Sequence, residues 1–191
     1  MGHSRSAKTD SHERIVKLAA DLFRERGIDG ISVADLMQAA GLTHGGFYRH
    51  FDSREALVAE AVERALREGG AVTDAIASQP RATIGALVDA YLSLVHRDKL
   101  ASSCAVTTLA GDVARSGRRT RAAYTGQVDR YVRLIGKLIE HLPQKQRRTR
   151  SLSALATLVG AVSMSRAVND EKLSREILNS AADDLKARLA R

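Results

Sequence analysis

Residues 32–51 read Ser32-Val33-Ala34-Asp35-Leu36-Met37-Gln38-Ala39-Ala40-Gly41-Leu42-Thr43-His44-Gly45-Gly46-Phe47-Tyr48-Arg49-His50-Phe51. The spacing predicts two short helices joined by a tight turn, the layout of a helix-turn-helix. Ser32 opens the first helix, with Asp35 three residues on as its capping partner in place of the usual Glu. Gly41 ends it and suits the positive φ that such a turn needs. Ala34, Met37 and Ala40 are small or flexible enough for a close helix crossing. Leu42 and Phe47 are placed to anchor the turn and the second helix, Thr43 to His50, to a core. Taken alone, the pattern also fits a plain helical hairpin in an unrelated α-domain.

The exposed side of that second helix has the chemistry of a surface for DNA. Thr43 can cap the helix and hydrogen-bond a phosphate, and a helix N-terminus favours an anion. His44, Gly45 and Gly46 stand at the leading edge, where a recognition helix meets base edges. Two glycines there lower helix stability by roughly 1 kcal/mol each relative to Ala, but they let the backbone sit close to a duplex. Tyr48, Arg49, His50 and Arg54 are donors placed to grip the sugar-phosphate backbone, with Ser32 at the start of the preceding helix. Contacts of that kind position a protein on DNA and carry little sequence information.

Upstream, Ile15, Leu18, Ala19, Leu22 and Phe23 recur at helical spacing and predict a first helix from about Ser11 to Arg26, stopped by Gly27. The polar residues 1–10 before it form an arm in which Arg5 and Lys8 can reach a minor groove. Downstream, Asp52 and Glu55 suggest a capped start for a long fourth helix to about Ile76, followed by a break at Ser78–Pro80. A fifth helix is expected over Ile84 to Val95, and a sixth from Ser102 or Ser103 to Gly117. The seventh carries the stripe Tyr124, Val128, Tyr131, Ile135, Leu138, ending at Leu142–Pro143. The eighth covers about Arg150 to Val168 and is rich in small residues. The ninth, about Glu171 to Leu189, repeats Leu173, Ile177, Leu178, Ala181, Leu185. With no convincing strand alternation, the expectation is an all-α protein of about nine helices. Residues 1–55 form a helix-turn-helix domain and residues 56–191 a larger helical domain.

Composition narrows the function classes. Apolar residues make up 44% of the 191, enough for a core, while aromatics make up 4% and Trp is absent, so any cavity is lined mainly by aliphatic groups. The net charge is +8, but residues 1–52 carry as many Asp/Glu as Lys/Arg, so DNA binding has to be argued from local placement. Arg115 to Arg150 is strongly basic, with Asp129 and Glu140 as its acids. Arg118, Arg119 and Arg121 there either add long-range attraction to DNA or form a solvated surface. A single cysteine, Cys104, allows no intramolecular disulfide and fits a reducing compartment. There is no long apolar span and no signal-peptide core, so a cytoplasmic protein is expected without membrane association. No His-Glu-x-x-His, phosphate-cradling Gly loop or Cys/His cluster is present, and neither an enzyme nor a metal or organic cofactor is expected.

The segment resembles the DNA-binding domain of the TetR family of bacterial regulators. Phe23 and Gly27, the Ala40-Gly41-Leu42-Thr43 turn, Gly46, the run Phe47 to Phe51, and Leu57 carry the likeness over residues 11–57. Leu36-Met37 stands where the family often has Ile-Ala, and Arg54 where it often has Lys. The resemblance implies a homodimer whose two recognition helices enter successive major grooves of a palindromic operator. It also implies a repressor released when a ligand in the C-terminal domain shifts their spacing. One short helix reads too few bases alone, which supports the dimer requirement.

The eighth and ninth helices are the expected dimer interface, forming a four-helix bundle with their symmetry mates; their stripes also fit an intramolecular core. Candidate ligand-contacting residues are Leu87, Tyr91, Cys104, Val106, Leu109, Tyr124, Val128 and Tyr131. Cys104 is expected in the first turn of the sixth helix, either as a sensor of oxidants or electrophiles or as an inert small hydrophobe. A C-terminal domain that binds a protein partner rather than a small ligand is the alternative.

Overall fold

A computed structural model describes the backbone of residues 2–190, and the side chains of residues 8–190 apart from Val72. Among these residues there are ten α-helices and two 3-10 helices, and no strand. Helix α1 (Gly2–Arg26), α2 (Val33–Ala39) and a 3-10 helix (His44–Arg49) precede the long α3 (Arg54–Ala77). Then come α4 (Ile84–Tyr91), α5 (Leu94–Asp98), a 3-10 turn (Leu100–Ser102), α6 (Ala105–Thr108) and α7 (Ala110–Ala114). Three long helices close the chain: α8 (Arg118–Leu138), α9 (Gln144–Ala167) and α10 (Glu171–Leu189).

The N-terminal unit is built on α1 against α3. Ile15, Ala19 and Phe23 meet Leu57, Ala61 and Ala65, all buried; the alanines allow the helices to approach closely. Arg24 is 4% exposed. A buried guanidinium persists only when paired, and this one bonds Asp21 at 2.6 Å and Glu68 of α3 at 2.9 Å. His12 adds a second tie to α3, 2.7 Å from Glu60. Helix α3 then passes into the C-terminal unit and packs on α8, which packs on α9, which packs on α10. At Gly69 of α3 a Cβ would lie 3.3 Å from Cys104 Cα and 3.8 Å from the Tyr131 hydroxyl, so this glycine sets how near α6 and α8 stand.

Several boundaries differ from the sequence expectation. Helix α1 begins at Gly2 rather than near Ser11, so the segment read as an arm is helical; the Arg5 side chain, with Met1 and Arg191, lies outside the described residues. Helix α3 is capped by Ser53, whose hydroxyl accepts the Ala56 N–H, and not by Asp52. The expected fifth helix breaks at Leu92, because Ser93 caps a new helix by accepting the His96 N–H; Val95 is left 63% exposed. The expected sixth helix is three short pieces, and Cys104 is the N-cap of α6 rather than a first-turn residue. Helix α9 starts at Gln144, directly after Pro143, six residues earlier than expected. Helix α10 falls where the periodicity places it, with Asp170 accepting the N–H groups of Lys172 and Leu173.

Candidate nucleic-acid interface

The hairpin of α2 and the 3-10 helix is closed by local chemistry. The Ser32 hydroxyl accepts the Asp35 N–H at 3.1 Å and donates to the Asp35 carboxylate at 2.7 Å. The chain then turns at Gly41, φ +72°, where the Gly41 and Leu42 N–H groups bond Gln38 O and Met37 O. Phe47 is buried and stacks on Phe51 at 5.4 Å, with Met37 also fully buried. The segment expected to be the recognition helix is 3-10 rather than α, with Thr43 at its N-cap but making no side-chain cap bond. The capping role read for Thr43 therefore falls to its backbone, whose carbonyl accepts the Gly46 N–H, and its exposed hydroxyl is left for another partner.

That packing presents one face outward. Ser32, Thr43, His44, Gly45, Tyr48 and Arg49 are exposed, and Gly46 partly so. Tyr48 is 72% exposed, a large ring held in solvent by the burial of its neighbour Phe47. Gly45 has nothing within 4 Å of a Cβ built on it, and at Gly46 the nearest atom is 3.6 Å away. Neither glycine has a positive φ. The fold does not require them, so the missing side chains are a property of the surface.

Two expected phosphate contacts are placed differently. The Arg54 guanidinium donates to Ile28 O at 2.7 Å and to Asp29 at 3.1 Å, pinning the loop after α1 to the first residue of α3. His50 is half-buried beside His12, with ring centroids 6.2 Å apart, and its enclosed Nδ1 has no partner. Burial, then the nearby His12, Lys8 and Arg49, holds its pKa below the usual histidine value.

The comparisons with known proteins agree with this geometry. Residues 15–61 match the family described as bacterial regulatory proteins, tetR family. The chain is 32% identical to the HTH-type transcriptional repressor KstR2 of Rhodococcus jostii (strain RHA1), over 65% of this chain and 60% of that one. It is 32% identical to the repressor DhaR of Mycobacterium sp. (strain GP1), over 55% and 48%. A TetR transcriptional regulator from Chloroflexus aurantiacus superposes with a TM-score of 0.82 at 25% identity, over 97% of each chain. Over residues 15–61 the chain carries the TetR-family segment. The match to KstR2 and DhaR thus spans between about half and three fifths of their lengths. The reduced form of Escherichia coli NemR, TM-score 0.76 at 18% identity over 93% of this chain and 96% of that one, shares the fold.

The C-terminal unit holds a cavity of about 340 Å³ between α3, α4 and α5, with Leu87, Tyr91 and Cys104 in its wall. Tyr131 lines a small void beyond Tyr91, and its hydroxyl lies 3.4 Å from Cys104 Sγ. Burial raises the pKa of both tyrosines. The remaining candidates stand elsewhere: Val106 and Leu109 are buried core, the Tyr124 hydroxyl donates to Val106 O at 2.8 Å, and Val128 packs partly buried against the core. Gly69, Thr73 and Ile76 of α3, and His96 and Lys99, line the cavity unforeseen. The Gly69-Gly70 pair inside a long helix was the one signal for them, because adjacent glycines in a helix interior need a reason. Arg118, Arg119 and Arg121 lie in the first turn of α8; Arg119 pairs with Glu63 of α3 at 2.9 Å.

Proposed function

We propose that the protein is a homodimeric, sequence-specific DNA-binding regulator that represses by occupying a palindromic operator, and that a small molecule or electrophile entering the α3–α4–α5 cavity releases it. The observation that carries the reading is the outward face of the recognition helix. His44 and Tyr48 are exposed beside Gly45 and Gly46, whose lack of side chains the fold does not need. A backbone stripped in this way can lie against base edges, while Thr43, Tyr48 and Arg49 reach phosphates.

The dimer is proposed through α9 and α10. Leu152 and Met164 of α9 and Leu173 of α10 are exposed at 43%, 58% and 42%. Ala156, Gly160 and Ser163 lie on the same side of α9, small enough for a symmetry mate to approach closely. Residues 1–55 serve as the DNA-binding domain and 56–191 as the ligand and dimerisation domain. Helix α3 joins them and forms one wall of the cavity, so a bound ligand presses on the helix that carries the DNA-binding unit.

The test is selection of bound duplexes from a random pool, followed by mobility shift and sedimentation. The expected result is an inverted repeat with half-sites one helical turn apart, about 34–36 Å, bound by a dimer with steep salt dependence. A monomer on the selected site, or a footprint unaltered by His44→Ala and Tyr48→Ala together, overturns the reading.

A further inference from the structure

The effector cavity has a definite electrostatic character. Thr73, Leu87, Tyr91 and Cys104 form its interior, and the exposed Val95 and Lys99 stand at its mouth. Among the described residues that line it, Lys99 carries the only formal charge and no carboxylate is present. Lys99 forms no ion pair among the described residues.

A second cation stands behind the same wall. Arg166 of α9, half-buried, donates to His96 O at 2.7 Å, Arg97 O at 2.8 Å and the Ser103 hydroxyl at 2.6 Å. All three acceptors are uncharged, so the guanidinium has no counter-ion in contact. His96, between Arg166 and the cavity, adds no charge of its own: its Nδ1 donates to Tyr91 O at 2.6 Å, and its Nε2 accepts the Cys104 N–H at 3.1 Å. That pattern puts the ring proton on Nδ1 and leaves the ring neutral. Lys99 thus stands unpaired at the mouth of a largely apolar space, and Arg166 lies behind its wall with no ion-pair contact, Asp98 acting on it only at longer range.

We infer that the cavity takes an amphipathic monoanion: a carboxylic acid with a compact apolar body, its carboxylate at Lys99 and its body against Ile76, Leu87 and Ala90. At about 30 Å³ per water, a space of about 340 Å³ accommodates a ligand of about a dozen non-hydrogen atoms. This rests on the effector reading above and specifies its ligand. Lys99 selects the anion, and Arg166 adds a positive potential from behind while holding the His96–Ser103 wall in place.

The experiment is titration calorimetry of the full chain with octanoate, 1-octanol and octylammonium, matched in apolar body. Octanoate is expected to bind at least tenfold tighter than octanol, and octylammonium weakest. Lys99→Gln brings octanoate to the level of octanol and leaves octanol within twofold; Lys99→Arg keeps the preference. Equal binding of acid and alcohol, a preference for the ammonium, a preference that survives Lys99→Gln, or no octanoate binding each overturns the inference. Mobility shifts on the selected operator separate the two claims. Release by octanol as readily as by octanoate keeps the regulator and removes the anion preference. Selective octanoate binding by a chain that binds no operator does the reverse.

Discussion

The carboxylate of Asp112 on α7 reaches the loop that leaves α1, accepting the Ile28 N–H at 3.4 Å. The same oxygen lies 3.3 Å from where a Cβ on Gly27 would stand. Because α7 follows α6 and Cys104, this contact joins the cavity side of the molecule to the N-terminal unit without passing through α3.

Gly27 has φ +79°, a conformation that disfavours a side chain by about 1–2 kcal/mol. Gly27→Ala is expected to lower unfolding free energy by about that much in urea titrations, with the crowding against Asp112 adding to it. Asp112→Ala is expected to leave ligand affinity within twofold while weakening ligand-induced release from DNA. Unchanged release in that variant would show that α3 alone transmits the signal.

Gly45→Ala separates stability from function. The added methyl meets open space, and Ala is favoured over Gly in a helix by up to about 1 kcal/mol. The thermal midpoint is expected to hold or rise while operator affinity falls at least tenfold in mobility shifts. Affinity equal to that of the parent would mean that the recognition backbone does not approach the duplex there.

Tyr48→Ala removes a ring that is 72% exposed and makes only an edge contact with Phe47 at 5.3 Å. Stability is expected to change by less than about 0.5 kcal/mol, the usual range for surface substitutions. Operator affinity is expected to fall by a similar factor across specific and scrambled duplexes, as for a phosphate contact. A loss confined to the specific duplex would reassign Tyr48 to base reading.

Acid sensitivity follows from His96. Burial, assisted by Arg166 and opposed by the bond to Tyr91 O, holds its pKa below the ordinary histidine value. The unfolded chain titrates near 6.5, so below that pH it binds a proton that the folded chain refuses. Stability is therefore full above about pH 6.5 and falls as pH drops through the folded-state value. His50 acts in the same direction. Thermal midpoints between pH 7.5 and 5.5 are expected to decline, and His96→Gln with His50→Gln to flatten the decline. A parent midpoint constant over that range would show that neither ring is held neutral by the fold.

The helix-turn-helix is legible in the sequence because its signals are local. Ser32 caps through a residue three positions on, Gly41 supplies a positive φ in its own residue, and Phe47 and Phe51 recur one helical turn apart. Interactions within a few positions leave a mark on sequence spacing. The same holds for the cap at Asp170 and the stripe of α10. Misplaced boundaries came where two local signals competed. Ser53 won the cap over Asp52, and Ser93 cut a periodicity that ran on to Val95.

What tertiary structure alone decided are contacts between residues far apart in the chain. Arg54 has the character of a phosphate ligand in sequence, yet it bonds Ile28 O, 26 residues earlier. His50 lost its exposure to His12. The wall of the cavity depends on Arg166 reaching Ser103, 63 residues away, a pairing for which no spacing rule exists. Side-chain chemistry names what a residue can bond. Only the packing of α3, α5, α8 and α9 around one another determines which partner comes within reach.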